Sequence, residues 1–253
     1  MSGRLTGRHC VVTGAAQGLG YAVADAFLRE GASVTATDVN AAVLATAATT
    51  LTAGDPSRQD RLLTYPADMR DRAAVDAMLA AGRARFGAID NVASIAGIAY
   101  HVAIADMRDE DYEVMMDVHV RAAFNLLRGV VHEWIDRRSG KLVVVTSPAA
   151  ARGQVLGSAY SAAKSALHGL VKSAALELGP HNIQVNAVLP MAATPMTAEA
   201  RLDPERNEAY LRNVPLRRWG SPDEIAETFV FLAASSGDYI TGAVIPVDGG
   251  RTI

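Results

Sequence analysis

His9-Cys10-Val11-Val12-Thr13 runs straight into Gly14-Ala15-Ala16-Gln17-Gly18-Leu19-Gly20, and this junction decides the fold. The first five residues read as a short strand that ends in glycines. Helical periodicity follows from Leu19 to Glu30, with Gly31 as its stop. In such a strand–turn–helix, Gly14 permits the tight turn and Gly18 lets a pyrophosphate approach the backbone. Gly20 lets helix and strand pack closely. The helix N-terminus adds unpaired N–H groups and a partial positive charge. Three glycines in one turn also suit a purely structural bend. Their place at the start of a βαβ unit gives the ligand reading its weight.

The same alternation continues outward. Strands are predicted at Ser33–Asp38, Leu62–Pro66, Asn91–Ser94, Lys141–Thr146, Gln184–Leu189 and Val244–Val247. Helices are predicted at Ala41–Leu51, Arg70–Phe86, much of Glu110–Arg137, Ala159–Leu178 and Pro222–Ala234. Strands alternating with helices of this length imply a single α/β domain built on a doubly wound parallel sheet with helices on both faces. Ligands of such sheets sit beyond the carboxyl ends of the strands. Met191–Trp219 is the least regular stretch, with Pro195, Pro204 and Pro215, and reads as a substrate-covering lid over about 191–219.

Composition narrows the function. The chain has 253 residues and a net charge of −3, which leaves no electrostatic footprint for nucleic acid. One cysteine, Cys10, excludes a disulfide framework and fits a reducing cytoplasm. No run approaches the roughly 18 apolar residues of a membrane span. The opening residues Met1 to Arg8 lack the apolar stretch of a signal peptide. The histidines at 9, 101, 119, 132, 168 and 181 show no metal-ligand spacing, so no metal is expected. The basic residues are almost all arginine. Only Lys141, Lys164 and Lys172 are lysines, and the first and last of these read as ordinary surface charges.

Asp38 ends the second strand, 18 residues after Gly20. A carboxylate there accepts hydrogen bonds from an adenosine ribose and repels a 2′-phosphate. The alternative is an N-cap for the next helix. The glycine turn carries Gln17 and no basic residue, so NAD is favoured over NADP. Tyr160 and Lys164 stand at i and i+4 of one helix and share a face. A tyrosine working as acid/base near neutrality needs its pKa lowered by about 3 units, a cost of roughly 4 kcal/mol. A neighbouring ammonium and an oxidised nicotinamide can supply it.

Tyr160-Ser161-Ala162-Ala163-Lys164, the Thr13–Gly20 turn, Asp68 and Ser147 together resemble the short-chain dehydrogenase/reductases. Asn186-Ala187-Val188-Leu189-Pro190, Thr194-Pro195 and Val247-Asp248-Gly249-Gly250 extend the likeness over nearly the whole chain. The resemblance implies a Rossmann-type fold and hydride transfer between a nicotinamide and a carbinol or carbonyl carbon. It implies that Tyr160 moves the proton and Ser147 orients the substrate oxygen. Lys164 would lower the tyrosine pKa and hold a ribose. It places Gly14, Gln17, Gly18, Leu19, Gly20, Asp38, Asp68, Met69, Ser94, Met191 and Thr194 at the dinucleotide, with Asp68 and Met69 at the adenine. A homo-oligomer, tetramer or dimer, is implied as well.

Three positions depart from the family pattern. Ser94-Ile95-Ala96-Gly97 stands where Asn-Asn-Ala-Gly is usual, which removes an amide that braces the central sheet. His119 takes the place of an asparagine that anchors a proton relay to the lysine, and its near-neutral pKa would make that step pH-sensitive; a purely structural histidine is the equal alternative. Pro190-Met191 replaces Pro-Gly, so Met191 is expected in the substrate wall. The pocket is expected from Ala96–Met107, Pro148–Val155 and the lid, with Tyr100, His101, Gln154, Met191, Met196 and Tyr210 as candidates and no arginine cluster at its mouth. These readings favour a cytoplasmic NAD-dependent dehydrogenase of a modest secondary alcohol or ketone. An NADPH-dependent carbonyl or 3-oxoacyl reductase and a non-catalytic dinucleotide sensor or scaffold are the alternatives.

Overall fold

The computed structural model of the protein describes residues 3–253; Met1 and Ser2, part of the stretch read for a signal peptide, lie outside the described residues. Seven strands form one parallel sheet: β1 (His9–Thr13), β2 (Ser33–Thr37), β3 (Leu62–Thr64), β4 (Asn91–Ser94), β5 (Gly140–Val145), β6 (Ile183–Pro190) and β7 (Val244–Val247). Their spatial order is β3-β2-β1-β4-β5-β6-β7. The chain winds outward from β1 in one direction and then from β4 in the other, which opens a crevice beyond their carboxyl ends. The register sets Thr13 beside Thr37 and Ser94 beside Val144, with Val145 beside Val188.

Alternate residues of each strand feed opposite faces. Val12, Val34, Ala93, Val143 and Val188 pack under α1 (Gly18–Arg29) and the late helix Pro222–Ala233, with Phe27 and Phe229 filling that layer. Val11, Val92, Leu142, Val144 and Val185 face the other layer. There they meet Met78, Leu126, Trp134 and Leu167, from the helices Arg72–Phe86, Ala122–Arg137 and Ser158–Leu178. Both faces are dry, as a parallel sheet requires. No helix among the described residues is long and apolar enough to cross a membrane.

In chain order the helices are α1, α2 (Ala41–Thr52), α3 (Pro56–Arg61), α4 (Arg72–Phe86), α5 (Asp109–Met116), α6 (Ala122–Arg137), α7 (Pro148–Arg152), α8 (Ser158–Leu178), α9 (Ala198–Leu202), α10 (Pro204–Leu211) and α11 (Pro222–Ala233). Four of these are additions to the sequence reading. Asp55, Ser147 and Asp203 cap α3, α7 and α10 by accepting from Ser57, Ala149 and Glu205 amides, each with a proline in the first turn. The prolines at 195 and 204 that suggested irregularity therefore open short helical turns, where a missing N–H costs nothing. The ends of the 191–219 stretch are drawn together, because Ala192 bridges Gly220 and the Gly220 amide donates to the Met191 carbonyl. The expected long helix is interrupted as well, by a π turn over Asp117–Arg121 between α5 and α6.

Two further expectations are corrected. The Ile95 departure does not leave the sheet unbraced. The buried Thr13 hydroxyl accepts from the Ile95 and Ala96 amides at 2.9 and 3.0 Å and ties the end of β1 to the chain leaving β4. Lys141 is no free surface charge either. Its ammonium caps α11 through the Leu232 and Ala234 carbonyls and pairs with Asp238. Thr13→Val keeps the shape of the side chain but leaves two amides without an acceptor. It is expected to lower stability by roughly 2–3 kcal/mol in chemical denaturation; a loss within error of zero would show that the brace lies elsewhere.

Candidate active site

The glycine turn leaves β1 in a conformation that side chains resist. Gly14 has φ +67°, and a Cβ there would stand 2.9 Å from the Ala96 backbone. Gly18 has φ +59°, and a Cβ there would touch Pro195 and Thr194 at 3.3 and 3.4 Å. At Gly20 a Cβ would meet the Gly14 carbonyl at 2.0 Å. The turn thus folds on itself, and the chain after β6 closes over it. Gln17 is the N-cap of α1 but makes no side-chain cap, and the first turn of that helix carries no acidic residue. Its amides are left for an anion.

Asp38 lies just beyond β2. Its carboxylate accepts from the Asn40 amide at 3.0 Å and weakly from the Ala16 amide at 3.3 Å, which brings it to the glycine turn. It is not the cap of α2; Asn40 is, accepting from the Val43 amide. Arg70 clasps the Asp68 carboxylate with contacts down to 2.6 Å and holds it below the usual carboxylate range. Met69 sends its side chain into the core, and Asn125 of α6 fixes the Met69 and Arg70 carbonyls. Ser94 is buried at the end of β4. These features fit a dinucleotide: a glycine turn with no charged side chain, uncapped amides, and a carboxylate beside them at the end of β2.

Ser147, Tyr160 and Lys164 meet beyond β5. Ser147 is the N-cap of α7 and accepts from the Ala149 amide at 3.1 Å, so its hydroxyl proton is free to point elsewhere. Lys164 is buried, 3% exposed, and donates to the Val145 carbonyl at 2.9 Å. Its ammonium stands 5.7 Å from the Tyr160 ring centre. Burial pulls Lys164 down to about 7. Burial pushes the Tyr160 phenol above its ordinary range, with the Ser147 hydroxyl pulling it back and Tyr210 adding to the rise. The lowered tyrosine pKa expected from the sequence is therefore absent from the chain by itself, because desolvation penalises both charged forms.

His119 sits at the middle of the π turn, buried beside this group. Its Nε2 contacts the Ile98 carbonyl at 2.9 Å, a geometry that assigns the proton to that nitrogen. Nδ1 has no partner among the described residues. The ring meets Tyr160 edge to face at 5.5 Å and presses on Gly97, where a Cβ would lie 2.6 Å from it. Burial, with Lys164 second, drives its pKa to about 2. The imidazole is neutral throughout the physiological range, which corrects the pH-sensitive role expected of it.

At the mouth, Tyr100 gives its hydroxyl to the Asp111 carbonyl. His101 meets Gln154, and the Val102 amide reaches the Leu156 carbonyl, so the loops after β4 and α7 are joined. Met196 is half exposed. Met191 is buried, 4% exposed, with its backbone pinned to Val247 and Gly220, so it forms part of the packing under β7 and not an open wall. Tyr210 stacks on Trp219 at 5.0 Å and lies under the Arg251 guanidinium at 4.3 Å. Thr13, Asn125, Arg152 and Arg251 were missed by the sequence reading. Each acts through a partner far away in the chain, and no local spacing signals it.

A family model described as Enoyl-(Acyl carrier protein) reductase matches residues 14–252. The chain is 35% identical to the 3-oxoacyl-[acyl-carrier-protein] reductase FabG of Thermotoga maritima, over 99% of this chain and 100% of that one. A short-chain dehydrogenase/reductase structure titled glucose/ribitol dehydrogenase, from Brucella melitensis, superposes with a TM-score of 0.90 at 30% identity over the full length of both chains. A 3-ketoacyl-(acyl-carrier-protein) reductase from the same organism, complexed with NADH, gives 0.90 at 28% identity over 98% of this chain and all of that one.

The buried lysine has a thermodynamic consequence. Below about pH 7 Lys164 is charged in both the folded and the unfolded chain, and its burial opposes folding in full. From pH 7 upward the folded chain has released a proton that the unfolded chain holds until near 10.5, so stability rises with pH. The Cys10 thiol, pushed up to about 12 by burial, acts in the opposite sense from about pH 9. Unfolding free energy measured without added dinucleotide is expected to rise between pH 7 and 9 by on the order of 1 kcal/mol per unit. Lys164→Met removes the slope, and equal slopes in the two proteins contradict the assignment.

Proposed function

The chain belongs to the short-chain dehydrogenase/reductase family, and from that premise we propose that it transfers a hydride between NAD(H) and a secondary alcohol or ketone of modest size. The observation that carries the reading is the convergence of Ser147, Tyr160 and Lys164 at the carboxyl end of β5, on the sheet edge that also bears the glycine turn. When bound, the dinucleotide accepts or supplies the hydride. Gly14 to Gly20 would cradle its phosphates and Asp38 would take a ribose diol. Ser94 and Thr194 would line its path through their hydroxyl groups, with Met191 packed behind them, and Asp68 and Met69 would stand at the adenine.

Ser147 donates its free hydroxyl proton to the substrate oxygen. In alcohol oxidation Tyr160 takes the proton of the substrate hydroxyl, and in ketone reduction it returns one. Lys164 keeps donors beyond the one on Val145 and offers them to ribose hydroxyls, a task for a compact ammonium. An oxidised nicotinamide would supply a positive charge that favours both the Tyr160 phenolate and, through its ribose hydroxyls, a well-held Lys164. His119 contributes the unprotonated Nδ1 as a neutral acceptor for a water in the proton path. The 191–219 stretch covers the substrate. A homo-oligomer in the cytoplasm fits the resemblance and the lone buried thiol.

NAD is preferred because Asp38 reaches the glycine turn and no lysine or arginine lies in that turn. A second reading, reduction of 3-oxoacyl substrates, is supported by the likeness to the Thermotoga maritima reductase. Screening secondary alcohols for NADH production, with Tyr160→Phe as control, tests the reading. Turnover is expected to fall by roughly 10²–10⁴-fold in the variant. Tighter binding of NADPH than of NADH overturns the role of Asp38, and turnover that survives in Tyr160→Phe overturns the mechanism. For His119, the asparagine variant is expected to keep kcat while the alanine variant loses it severalfold. If both match the natural protein from pH 6 to 9, the histidine has no part in the proton path.

A further inference from the structure

Most arginines of this chain meet a carboxylate; Arg4, Arg58, Arg70, Arg83, Arg137 and Arg218 are instances. Arg152 and Arg251 are among the several that meet none in the described residues, and the fold brings these two together across 98 residues of chain. Arg152 closes α7, the helix that Ser147 opens, and donates to the Arg251 carbonyl at 2.7 Å. Arg251 lies over the Tyr210 ring and donates to the Tyr210 carbonyl at 3.1 Å. The nearest acidic side chain in sequence, Asp248, is turned to the Gly250 amide and the Thr252 hydroxyl. Each guanidinium therefore has one donor on a main-chain oxygen and keeps the rest of its fork for something else. Two guanidinium groups anchored in one region with donors to spare can both turn to one anion.

Their position suggests what the anion is attached to. From Ser147 to Arg152 is five residues of helix, roughly 8 Å along the axis. Tyr210, beneath Arg251, lies close enough to Tyr160 to raise its pKa. Arg152 closes the helix that Ser147 opens, and Arg251 packs on Tyr210 of the stretch expected to cover the substrate, where the sequence reading expected no arginine cluster. We propose that Arg152 and Arg251 bind an anionic group, carboxylate or phosphate, that the substrate carries apart from its reacting carbon. The stack of Arg251 on Tyr210, itself stacked on Trp219, holds one fork in place before the substrate arrives. The inference rests on the dehydrogenase reading and narrows its substrates to hydroxy or oxo acids and their phosphorylated counterparts.

Initial rates with NADH on 4-oxopentanoate, its methyl ester and 3-oxobutylphosphonate test it, in the natural chain and in R152Q, R251Q and the double variant. One of the two anions is expected to exceed the ester in kcat/KM by roughly 10- to 100-fold, and the larger ratio identifies the group. In the double variant, checked for folding by its melting curve, the ratio is expected to fall to about one. An ester used as well as both anions, or a preference that survives both substitutions, overturns the proposal. If no carbonyl compound is reduced at all, the dehydrogenase reading fails separately. Calorimetric titration of the NADH-saturated protein with 4-oxopentanoate and the phosphonate then decides: binding lost in the double variant supports the site, and binding absent or unchanged overturns it.

Discussion

The ammonium of Lys164 is buried beside a tyrosine, and three consecutive residues leaving β5 hold that arrangement. The Val145 carbonyl accepts from Nζ, the Thr146 hydroxyl donates to the Lys164 carbonyl, and Ser147 stands close enough to Tyr160 to act on its pKa. His168 of α8 pairs with the same Thr146 hydroxyl at 2.8 Å. Strand β5 and helix α8 are thereby locked in one relative position, and the reacting groups inherit it. Taking a cation out of water costs several kcal/mol. The chain bears that cost in a region otherwise packed dry on both sides of the sheet, a pattern expected where activity and stability pull apart.

The neutrality of His119 follows first from its burial and only second from that charge. Dry surroundings disfavour an imidazolium, and an ammonium nearby disfavours it further. The π turn places the ring against Gly97 and Tyr160, in the way such bulges often re-aim a side chain at a functional site. Gly97 is the residue that leaves room, since any Cβ there would collide with the ring. The two departures at His119 and at Ile95 have separate consequences: one alters an acceptor beside the tyrosine, while the other is met by Thr13.

What was legible in the sequence was what local spacing encodes. The i, i+4 relation of Tyr160 to Lys164, the strand-end position of Asp38 and the strand–turn–helix at Gly14 depend on a few adjacent residues, and the parallel sheet follows from their repetition. The brace from Thr13 to Ile95, the clasp of Asn125 on Met69 and the meeting of Arg152 with Arg251 depend on contacts between remote segments. No periodicity carries those. The short helices at Pro56, Pro148 and Pro204 are an intermediate case, because cap and proline were visible but too few residues followed to show a period. Lys141 shows the limit from the other side: an ordinary strand residue became a helix cap because α11 ends against it.

Three lysines make the central claim directly measurable. With side-chain ¹⁵N-labelled lysine, the protein gives signals from Lys141, Lys164 and Lys172 alone, and Lys164→Met assigns the one in the site. A titration followed by NMR is expected to show the Lys164 ammonium losing its proton near pH 7 in the protein without dinucleotide. A Lys164 signal that titrates near 10.5, the ordinary lysine value, would contradict the account, because the ammonium would then be neither buried nor held as the structure has it.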